Sequence, residues 1–386
     1  MRIAHVTDFY LPRLGGIEMH VRDLAMRQQA AGHEVEVITS SPRPAGERRA
    51  ERRGDGAGGL HVHRVTEAVP FSSWLHPAGL RAGRRMLREG GYDVVHAHAG
   101  PFSPLAFAAA AGAAHVPTVV TVHSLISYLE PAFRALDTGV NWSSWPAVWT
   151  AVSDAAAEPL RRLVGPAPVL VLPNGIDASA WRVEPLPRKP DEVLVVAVMR
   201  LAARKRPIHL LRMLRAAQAA MPPSTRIRAV IVGEGPKRPV LERYLRRHAM
   251  TGWVSMPGRL PRSEIRSLFA RADLFVAPAI LESFGIAALE ARCAGLPVVA
   301  RAEGGIGEFV SDGEEGILAD SDSAMTQAII RLATDAAERH AIAARNRAVP
   351  PTVTWPDVVD LTTEMYELAI DRLRLPLKRG LFGMAG

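Results

Sequence analysis

The amino-acid sequence predicts an α/β protein made of two doubly wound halves, each a parallel sheet flanked by helices. The length of 386 residues exceeds what one hydrophobic core usually holds, so two domains are expected. Short apolar runs typical of buried strands alternate with runs of helical periodicity in both halves. A proline-rich stretch at 183–192, VEPLPRKPDE, separates the two series and is typical of a linker between domains.

The first half opens with strand, loop, helix and strand, which is the first unit of a parallel sheet. RIAHVTD is predicted to be the first strand, and IEMHVRDLAMRQQAAG a helix that ends at Gly32. The further strands of this half are HEVEVITS, YDVVHAHA, VPTVVTVHS, VWTAVSD and PVLVLPNGID. Residues 42–59 are polar, rich in glycine and aperiodic, which indicates a surface loop.

The second half repeats the alternation after the linker. Its predicted strands are VLVVAVMR, IRAVIVGEG, WVSMPG, DLFVAPA, LPVVARA and GILA. Its predicted helices are a run from about Pro207, PVLERYLRRHA, RSEIRSLFARA, FGIAALEARCAG and, near the end of the chain, the amphipathic WPDVVDLTTEMYELAIDRLRL. The resulting assignment is an N-terminal domain at 1–187, a C-terminal domain at 188–352, a final helix at 353–372 and a tail at 373–386. Ligands of such sheets lie outside the carboxyl ends of the strands, so two facing sheets imply a cleft between them.

Composition limits the classes of protein that fit. The single cysteine, Cys293, excludes an intramolecular disulfide and fits a reducing cytoplasm, and its place in a helical pattern predicts a buried, small apolar residue. No apolar run reaches the ~18 residues that span a bilayer, since His115 and Pro117 interrupt the nearest one. The N-terminus, MRIAHVTDFY, lacks the apolar segment and cleavage site of a signal peptide. We therefore expect a cytoplasmic protein.

The net charge of +8 is concentrated in one segment. Residues 188–262 carry 17 basic and 4 acidic side chains, a balance of +13. Such a segment is compatible with nucleic acid, with the phosphates of a nucleotide, or with a solvated basic surface. In the first half, the basic run RAGRRMLR at 81–88 leaves open a contact with anionic lipid headgroups.

Two glutamates, Glu282 and Glu290, flank the predicted start of a helix in the run PAILESFGIAALEARCAGLPVVA. We expect this helix to begin near Phe284, with Ser283 as its N-cap. The free backbone amides and the dipole at such an end form an anion site. The amides concerned are those of Phe284, Gly285 and Ile286. Carboxylates accept hydrogen bonds from vicinal hydroxyls, so the segment predicts a ligand that carries hydroxyls on both sides of a phosphate. The alternative is an ordinary surface helix with two glutamates.

Two cations follow the first predicted strand of the second half, in the run MRLAARKRP. Arg200 and Lys205 lie at and just after the end of this strand, where they can clamp a diphosphate. Lysine is rare in this chain, with 4 among 47 basic residues, and its compact ammonium serves a phosphate differently from arginine. Arg204 and Arg206 are explained by surface charge alone.

Gly15 and Gly16 follow the first strand of the chain and precede a helix. Glycines at this place let backbone amides approach an anion at the helix N-terminus. The pair is not part of a G-x-G-x-x-G run, so the dinucleotide-binding fingerprint is absent. A plain tight turn explains the two glycines equally well.

Histidines and one D-x-D sequence are the remaining candidates for chemistry. His123 ends an apolar strand that faces the predicted cleft, and either a functional or a structural role fits it. His96 and His98 also end a strand, and without a third ligand in the sequence they favour packing or cleft lining over a metal site. Asp320 and Asp322 follow a strand and are interpreted as part of a helix N-cap rather than as metal ligands.

At these residues the sequence resembles the family 4 glycosyltransferases, retaining enzymes with the GT-B fold of two Rossmann-like domains. The resemblance covers nearly the whole chain and is carried by DFYLPRLGGIEMHVRDLA, DVVHAHAG, VTVHS, VLPNGID, Arg200-x4-Lys205, VGEGP, the Glu282–Glu290 segment and PVVARAEGG. Two departures are Pro278-Ala279, where the family commonly has Pro-Ser, and Arg292-Cys293, where a small or methionine pair is usual. The final helix, near Trp355, resembles the family's crossover back to the first domain.

The resemblance implies a role for each candidate residue. The implied catalytic residues are His123, Glu282, Arg200 and Lys205. The implied donor-binding residues are Gly15, Gly16, Gly258, Arg259, Ser283, Phe284, Gly285, Ile286 and Glu290. Within this set, Arg200 and Lys205 bind the diphosphate of the donor, Glu282 holds hydroxyls of the transferred sugar, and Glu290 holds the ribose. His123 touches the sugar near the reacting carbon, and Gly258 and Arg259 border the base.

The reaction implied by the resemblance is transfer of a hexose-type sugar, with retention at the anomeric carbon, to a hydroxyl acceptor. The donor is a UDP- or GDP-linked sugar that serves as co-substrate, and no metal and no cofactor is implied. Alternatives are a nucleotide-sugar 2-epimerase or a glycogen-type synthase of the same fold, and a catalytically silent nucleotide-sugar or polyanion binder. Nucleic acid is not expected as a partner.

The acceptor is less constrained than the donor. GGIEMHVRDL and VTVHSLISYL resemble the phosphatidylinositol-directed glycosyltransferases, which suggests a lipid or inositol acceptor; a saccharide or a small natural product is equally open. Glu18 and His20 lie where acceptor contacts are expected, although positions on an ordinary helix surface explain them too. A lipid acceptor implies peripheral contact with an anionic membrane at its inner face.

Overall fold

The computed structural model describes residues 1–13, 15–42, 59–65, 77–187, 189 and 191–374. The predicted loop at 42–59 and the predicted tail at 373–386 lie outside the described residues, except at 42, 59, 373 and 374. In the described part of the chain, no helix combines the length and the apolar character needed to cross a bilayer.

The chain divides into two compact units. The first, unit 1, consists of Met1–Val152, Ala156–Leu172 and the described part of Pro356–Gly386. The second, unit 2, consists of Ser153–Ala155 and Pro173–Trp355. The predicted domain boundary at 187/188 therefore falls within unit 2, in the connection that precedes the first strand of its sheet.

Unit 1 contains a seven-stranded parallel sheet with helices between the strands. Its strands are β1 Arg2–Thr7, β2 Glu34–Thr39, β3 His61–Arg64, β4 Val94–Ala99, β5 Thr118–Val122, β6 Val148–Ala151 and β7 Val169–Val171, in the order β3-β2-β1-β4-β5-β6-β7. Its helices include α1 Gly16–Ala30, α2 Pro77–Glu89, α3 Pro104–Ala110, α4 Glu130–Val140 and α5 Asp154–Val164, with short 3₁₀ turns at Ser127–Leu129 and Trp142–Ser144. The helix α1 ends as predicted, because Gly32 has a φ of +89° and its amide donates to the carbonyl of Gln29 at 3.0 Å.

Unit 2 contains a six-stranded parallel sheet of the same type. Its strands are β8 Glu192–Val198, β9 Arg226–Val232, β10 Val254–Gly258, β11 Leu274–Ala277, β12 Val298–Arg301 and β13 Gly316–Ala319, in the order β10-β9-β8-β11-β12-β13. Its helices are α6 Ala178–Trp181, α7 Pro207–Ala220, α8 Arg238–Arg247, α9 Arg262–Phe269, α10 Ile286–Cys293, α11 Asp322–Thr334 and α12 Ala336–Ala348, with 3₁₀ turns at Ala203–Lys205 and Gly305–Glu308. The sequence predicted this order of strands and helices from Val193 to Ala319, where apolar strands and amphipathic helices alternate most regularly.

The last helix, α13 Trp355–Arg374, belongs to unit 1 from Pro356 onward. It places Tyr366 and Ala369 in the same hydrophobic core as Ile3 of β1 and Val94 of β4. The end of the described chain therefore lies in unit 1, where burial of this apolar face stabilises the helix against the sheet.

Each sheet has one point at which the strand order reverses direction. In unit 2 it lies between β8 and β11, which are neighbours in space but separated in sequence by β9 and β10. In unit 1 it lies between β1 and β4, where Ile3 aligns with Val94. The connections on the two sides of a switch point lead away from each other, so a crevice opens at the carboxyl ends of these strands.

Candidate active site

An ion pair lies at the switch point of unit 2. Lys205, in the loop after β8, places its Nζ 2.5 Å from Oε2 of Glu282, in the loop after β11. The two side chains keep 20% and 15% of their surface exposed, so both charges are largely shielded yet reachable from solvent. Arg200 lies two residues after the end of β8 and is exposed. The structure therefore brings two of the predicted catalytic residues into contact and leaves Arg200 at the same edge of the sheet.

Two glycines hold the loop after β8, and sequence reasoning assigned them no function. A Cβ on Gly233 would lie 1.9 Å from the carbonyl oxygen of Met199, and one on Gly235 would lie 2.5 Å from that of Leu201. The loop after β9 is thus packed backbone to backbone against the loop that carries Lys205. The amide of Leu201 donates to the carbonyl of Glu234 at 2.9 Å. In the sequence, the G-E-G run in VGEGP was the pattern that could have indicated this close packing.

Glu282 is held in place through its main chain. Its carbonyl accepts a hydrogen bond from the amide of Gly305 at 2.8 Å. A Cβ on Gly304 would lie 2.8 Å from the same carbonyl oxygen, so the loop after β12 packs directly on the Glu282 backbone. The run EGGIGE therefore serves as a support that orients the carboxylate.

The helix after Glu282 begins two residues later than predicted. It starts at Ile286, and its N-cap is Gly285, with a φ of +92° and no side-chain cap hydrogen bond. The prediction that Ser283 is the N-cap was wrong, because the left-handed backbone at Gly285 separates Ser283 from the first helical turn. Phe284 is 3% exposed and packs on Phe309, with ring centroids 5.4 Å apart. As predicted, the backbone amides at the N-terminal end of α10 are those of Gly285 and the residues beside it.

Gly285→Ala tests the geometry of this turn. An L-residue is strained at this φ, and its Cβ would lie 2.5 Å from Cγ1 of Ile306. We expect a loss of stability of about 2–4 kcal/mol and a loss of activity. Gly313→Ala is the matched control, since Gly313 has a φ of +79° but no neighbour within 4 Å of its Cβ position. Equal stability losses in urea unfolding of the two variants would contradict the tight packing inferred here.

Arg206 has a structural role that the sequence did not reveal. Its guanidinium contacts both carboxylate oxygens of Asp322, at 2.8 Å and 2.7 Å, and Arg301 approaches the same carboxylate at 3.4 Å. The interpretation of Arg206 as surface charge was wrong, because this bidentate pair ties the loop after β8 to the start of α11. Hydrogen bonding from Arg206 also holds the pKa of Asp322 below its usual value.

The D-x-D sequence is part of a helix start, as predicted. Ser321, between its two aspartates, caps α11 by accepting a hydrogen bond from the amide of Ala324 at 3.1 Å. Asp322 is the first residue of the helix and is already held by two arginines. Its carboxylate is thereby engaged in the fold of unit 2.

The helix α10 carries Glu290 and Cys293 on buried positions. Glu290 keeps 9% of its surface exposed, eight residues beyond Glu282 along the chain. Cys293 is buried, and this burial raises the pKa of its thiol to about 12, which confirms a small apolar packing role. Arg292 donates to the carbonyl of Phe309 at 2.5 Å and pairs with Glu315 at 3.6 Å, so it too serves packing.

Gly258 and Arg259 lie at the end of β10, on the same edge of the sheet. The carbonyl of Gly258 accepts from the amide of Gly233 at 2.7 Å, which joins the ends of β9 and β10. Gly258 has a φ of +90°, and a Cβ there would meet the carboxylate of Glu234 at 2.8 Å. The predicted base-binding residues therefore lie beside the glycine-rich loop that supports the segment from Arg200 to Lys205.

In unit 1 the helix α1 begins at Gly16, with Gly15 in an extended conformation as its N-cap. The carboxylate of Glu18 lies against this helix start, with Oε2 2.5 Å from where a Cβ of Gly15 would be. Arg13 pairs with Glu18 at 3.0 Å. The predicted anion site at the two glycines is thus lined by a carboxylate as well as by amides.

His123 follows β5 and lies among other histidines of unit 1. Its ring centroid is 5.3 Å from that of His20 on α1 and 5.2 Å from that of His98 on β4. His20 is 1% exposed and Glu18 is 4% exposed, so neither of the two predicted acceptor residues lies on an open helix surface within this unit. The structure brings His20 and His123 together, which their separation of about a hundred residues did not indicate.

Among the described residues, two groups of histidines place three ring nitrogens close enough to hold a metal ion, with all ligand atoms within 4.8 Å of one another. The first group is His5, His96 and His98, and the second is His20, His98 and His123. In the first group the nitrogens already form hydrogen bonds, such as that between Nδ1 of His5 and Nε2 of His98 at 2.9 Å. The expectation that His96 and His98 have no third ligand in reach was wrong, because β1 brings His5 beside them. Their hydrogen bonds nevertheless agree with the interpretation of packing or lining.

Two family profiles match the chain in succession. The one described as Glycosyltransferase Family 4 matches residues 14–180, and the one described as Glycosyl transferases group 1 matches residues 182–349. A glycogen synthase of Mycobacterium tuberculosis is 30% identical over 410 aligned positions, which cover 98% of this chain and 97% of the relative. The chain is a family 4 glycosyltransferase. It is therefore an enzyme that transfers a glycosyl group to an acceptor.

Other relatives of this glycosyltransferase have different acceptors in their names. One phosphatidylinositol N-acetylglucosaminyltransferase component, from Arabidopsis thaliana, is 28% identical, with 96% of this chain and 82% of the relative aligned. Among solved structures, the sucrose-phosphate synthase of Thermosynechococcus elongatus matches with a TM-score of 0.75 at 20% identity, covering 96% of this chain and 99% of that one. The Anabaena protein HepE in complex with UDP-glucose matches with a TM-score of 0.74 at 22% identity, covering 95% and 99%. These likenesses confirm the GT-B fold class.

Proposed function

We propose that this glycosyltransferase uses a nucleoside diphosphate sugar as donor and binds it at the carboxyl edge of the unit 2 sheet. The observation that carries this proposal is the Lys205–Glu282 ion pair at the switch point, beside the amide mouth of α10. A cation and free amides suit a diphosphate, and a carboxylate suits sugar hydroxyls. HepE, a structural neighbour, has been solved with UDP-glucose.

Each residue of this edge receives a role in the proposal. Arg200, Lys205 and the amides of Phe284, Gly285 and Ile286 bind the diphosphate, together with Gly15 and Gly16 of unit 1. Glu282 holds hydroxyls of the transferred sugar and Glu290 those of the ribose, while Ser283, Gly258 and Arg259 complete the donor contacts. Since Lys205 and Glu282 already pair at this edge, the donor would exchange their mutual contact for contacts to its diphosphate and its hydroxyls.

The mechanism proposed is transfer with retention and without a metal. As the bond between sugar and diphosphate breaks, negative charge grows on the leaving phosphate, where Lys205, Arg200 and the helix dipole stabilise it. His123 contacts the sugar near the reacting carbon. Asp322 of the D-x-D sequence is held by Arg206 and Arg301, which supports a role in the fold rather than as a metal ligand.

The acceptor is proposed to be a hydroxyl of a lipid, inositol or saccharide. Relatives named as a phosphatidylinositol N-acetylglucosaminyltransferase and a glycogen synthase support these classes. Glu18 and His20 of unit 1 are the proposed acceptor-side residues. A cytoplasmic location, with peripheral contact at an anionic membrane in the case of a lipid acceptor, belongs to the same proposal.

Isothermal titration calorimetry with UDP- and GDP-linked hexoses tests the donor proposal. We expect micromolar binding of one base class to the wild-type protein, unchanged by EDTA, and at least about 10-fold weaker binding to Lys205→Ala because a charge-assisted contact is lost. Product analysis by proton NMR then reports the anomeric configuration. No binding of either donor class by the folded protein would contradict the proposal, and an inverted product would contradict retention.

A further inference from the structure

Five histidines of unit 1 are buried together around the switch point of its sheet. They are His5, His20, His96, His98 and His123, and the most exposed of them, His123, keeps 6% of its surface. Burial lowers the pKa of His5 to about 4 and that of His123 to about 3, and it holds the pKa of His96 and His98 well below the usual value. All four rings are therefore neutral at pH 7, with one protonated nitrogen each.

Three of these rings form a chain of hydrogen bonds from His123 into the core. Nε2 of His123 lies 3.0 Å from Nδ1 of His98. Nε2 of His98 lies 2.9 Å from Nδ1 of His5. Nε2 of His5 lies 2.7 Å from Oε1 of Gln28 on α1. In a neutral imidazole one nitrogen donates and the other accepts, so the direction of any one of these bonds fixes the direction of the others.

The chain of hydrogen bonds continues from Gln28 to the last helix and from there back to residues of the sheet. Nε2 of Gln28 donates to the hydroxyl of Tyr366 at 3.0 Å, and that hydroxyl lies 2.9 Å from Nδ1 of His96. Nε2 of His96 lies 2.7 Å from the hydroxyl of Thr121, which lies 2.7 Å from that of Thr150. The hydroxyl of Thr150 donates to the carbonyl of Val120 at 3.2 Å, which ends the chain.

The carbonyl at the end of this chain of hydrogen bonds decides which group donates in each bond, because a carbonyl oxygen can only accept. Thr150 uses its proton on Val120, so Thr121 must donate to Thr150 and His96 must donate to Thr121 from Nε2. Nδ1 of His96 then accepts from Tyr366, whose oxygen accepts from Gln28. The Gln28 carbonyl oxygen consequently faces His5, which must donate from Nε2. By the same rule His98 and His123 also carry their protons on Nε2. The opposite direction would lose the bond to Val120.

We propose that Tyr366, Gln28, His5 and His98 are positioning residues that fix the tautomer of His123, with the proton on Nε2 and Nδ1 as an acceptor. This deepens the proposed function and rests on it, since His123 is there assigned to the reacting sugar. A ring with a fixed tautomer offers a defined lone pair and orientation to a sugar hydroxyl. The last helix thereby takes part in the chemistry of unit 1 through Tyr366.

A metal ion on the same rings is disfavoured by these contacts. Of the nitrogens of His5 and His98, each has a hydrogen-bond partner at 3.0 Å or less. Both nitrogens of His96 are likewise engaged, by Tyr366 and Thr121. A metal would have to displace several of these bonds, whereas the hydrogen-bonded chain satisfies all of them at once.

Tyr366→Phe in the full-length protein tests the proposal. Gln28 loses its acceptor in this variant, so its amide can rotate and the three linked histidines can take either direction. Nitrogen-15 NMR of histidine-labelled protein at pH 8 should show His123 protonated on Nε2 alone in the wild type and a mixture of tautomers in the variant. We expect kcat to fall about 5-fold, as for the loss of one net hydrogen bond, with KM for the donor unchanged.

Tyr92→Phe is the matched control, since Tyr92 donates its hydroxyl to Glu36 outside this chain. It should leave both the tautomer and kcat unchanged. If Tyr366→Phe does not fold, Thr150→Val removes the group that donates to Val120 while keeping the side-chain shape, and it should give the same mixture of tautomers. A wild-type His123 protonated on Nδ1, or a tautomer unaffected in the folded variant, overturns the proposal.

Failure of the positioning role can be distinguished from failure of the proposed function. If His123→Ala loses activity and donor still binds by calorimetry, but Tyr366→Phe changes neither tautomer nor kcat, only the positioning role fails. If His123→Ala keeps full activity, the positioning role fails together with the role of His123. If no nucleotide sugar binds to the wild type, the donor proposal itself fails.

Discussion

Lowering the pH from 8 to 5 is expected to destabilise the folded protein by several kcal/mol. Five histidines of unit 1 are buried and have lowered pKa values, because burial disfavours the charged imidazolium. In the unfolded chain each returns to a pKa of 6.5 and takes up a proton below that pH. At pH 5 His5 and His123, whose pKa values in the folded protein are about 4 and about 3, each favour the unfolded state by about 2 kcal/mol, and the other three histidines act in the same direction.

The sign follows from the direction of these shifts. A base whose pKa is lowered in the folded state contributes stability that is present above 6.5 and is lost as the pH falls toward the folded value. Asp8 acts in the opposite sense, because burial raises its pKa to about 6 from a usual 3.8. The stability that Asp8 contributes is lost as the pH rises through about 6. Acidification to pH 5 therefore raises the stability of the folded state by about 1 kcal/mol through this group. The histidines outweigh it, because His5 and His123 alone favour the unfolded state by about 4 kcal/mol at pH 5, which is a large fraction of the stability of a typical domain.

Urea unfolding at several pH values measures this effect. The unfolding free energy should fall as the pH is lowered below 6, with a net uptake of at least about one proton on unfolding near pH 5. Asp8→Asn should make the loss larger by about 1 kcal/mol. His61→Gln, at an exposed position of β3, should change nothing. A pH dependence of less than one proton in this range would show that the five rings are not buried as described.

Glu282→Gln and Lys205→Met are expected to lower kcat by about 100-fold or more while the fold survives. In the proposed function, Lys205 stabilises the charge that develops on the leaving diphosphate, and Glu282 orients the sugar through its hydroxyls. Both side chains lie at the switch point, 2.5 Å apart, where a preorganised charge acts without a large reorganisation. Since each retains some exposure, removing one partner leaves a charge that solvent can reach, so the stability cost is small compared with the loss of rate.

The matched control pair lies at the opposite edge of the same sheet, on β8 and β9. Arg228 of β9 contacts Glu192 of β8 at 2.8 Å, on an exposed position at the amino edge of the sheet. Arg228→Met and Glu192→Gln should change kcat less than about two-fold, since an exposed pair contributes little. Initial rates with a saturating donor, together with circular dichroism spectra, check both pairs. A folded Glu282→Gln enzyme with full activity would remove the basis of the donor site.

The alternation of apolar runs in the sequence was sufficient to place most strands and helices of both sheets. A strand such as VLVVAVMR is apolar throughout because both of its faces are covered, and the helix that follows it shows its own period. The residues at the ends of β8 and β11 followed from the same pattern, because ligands of a parallel sheet meet its carboxyl edge. Lys205 and Glu282, 77 positions apart, were therefore predicted to lie near each other, and they do.

The features that the sequence missed depend on contacts between distant segments. Ser283 has the usual residue type for an N-cap, but the left-handed backbone of Gly285 moves the helix start to Ile286. Arg206 resembles ordinary surface charge until Asp322, 116 positions later, meets both of its nitrogens. Local patterns carry no information about such pairs, because many partners of the same type are available along the chain.

By itself the sequence determined the fold class, the two sheets and the residues at the carboxyl edge of the second sheet, since hydrophobic period and strand ends are local properties of the chain. Only the tertiary structure decided how the buried histidines are connected. His123, His98, His5, Gln28, Tyr366 and His96 come from β1, α1, β4, the end of β5 and α13. The proton positions along them are set by a single carbonyl at the far end, that of Val120. The direction in which the hydrogen bonds donate is a property of the whole network, and no single residue in it reveals that direction.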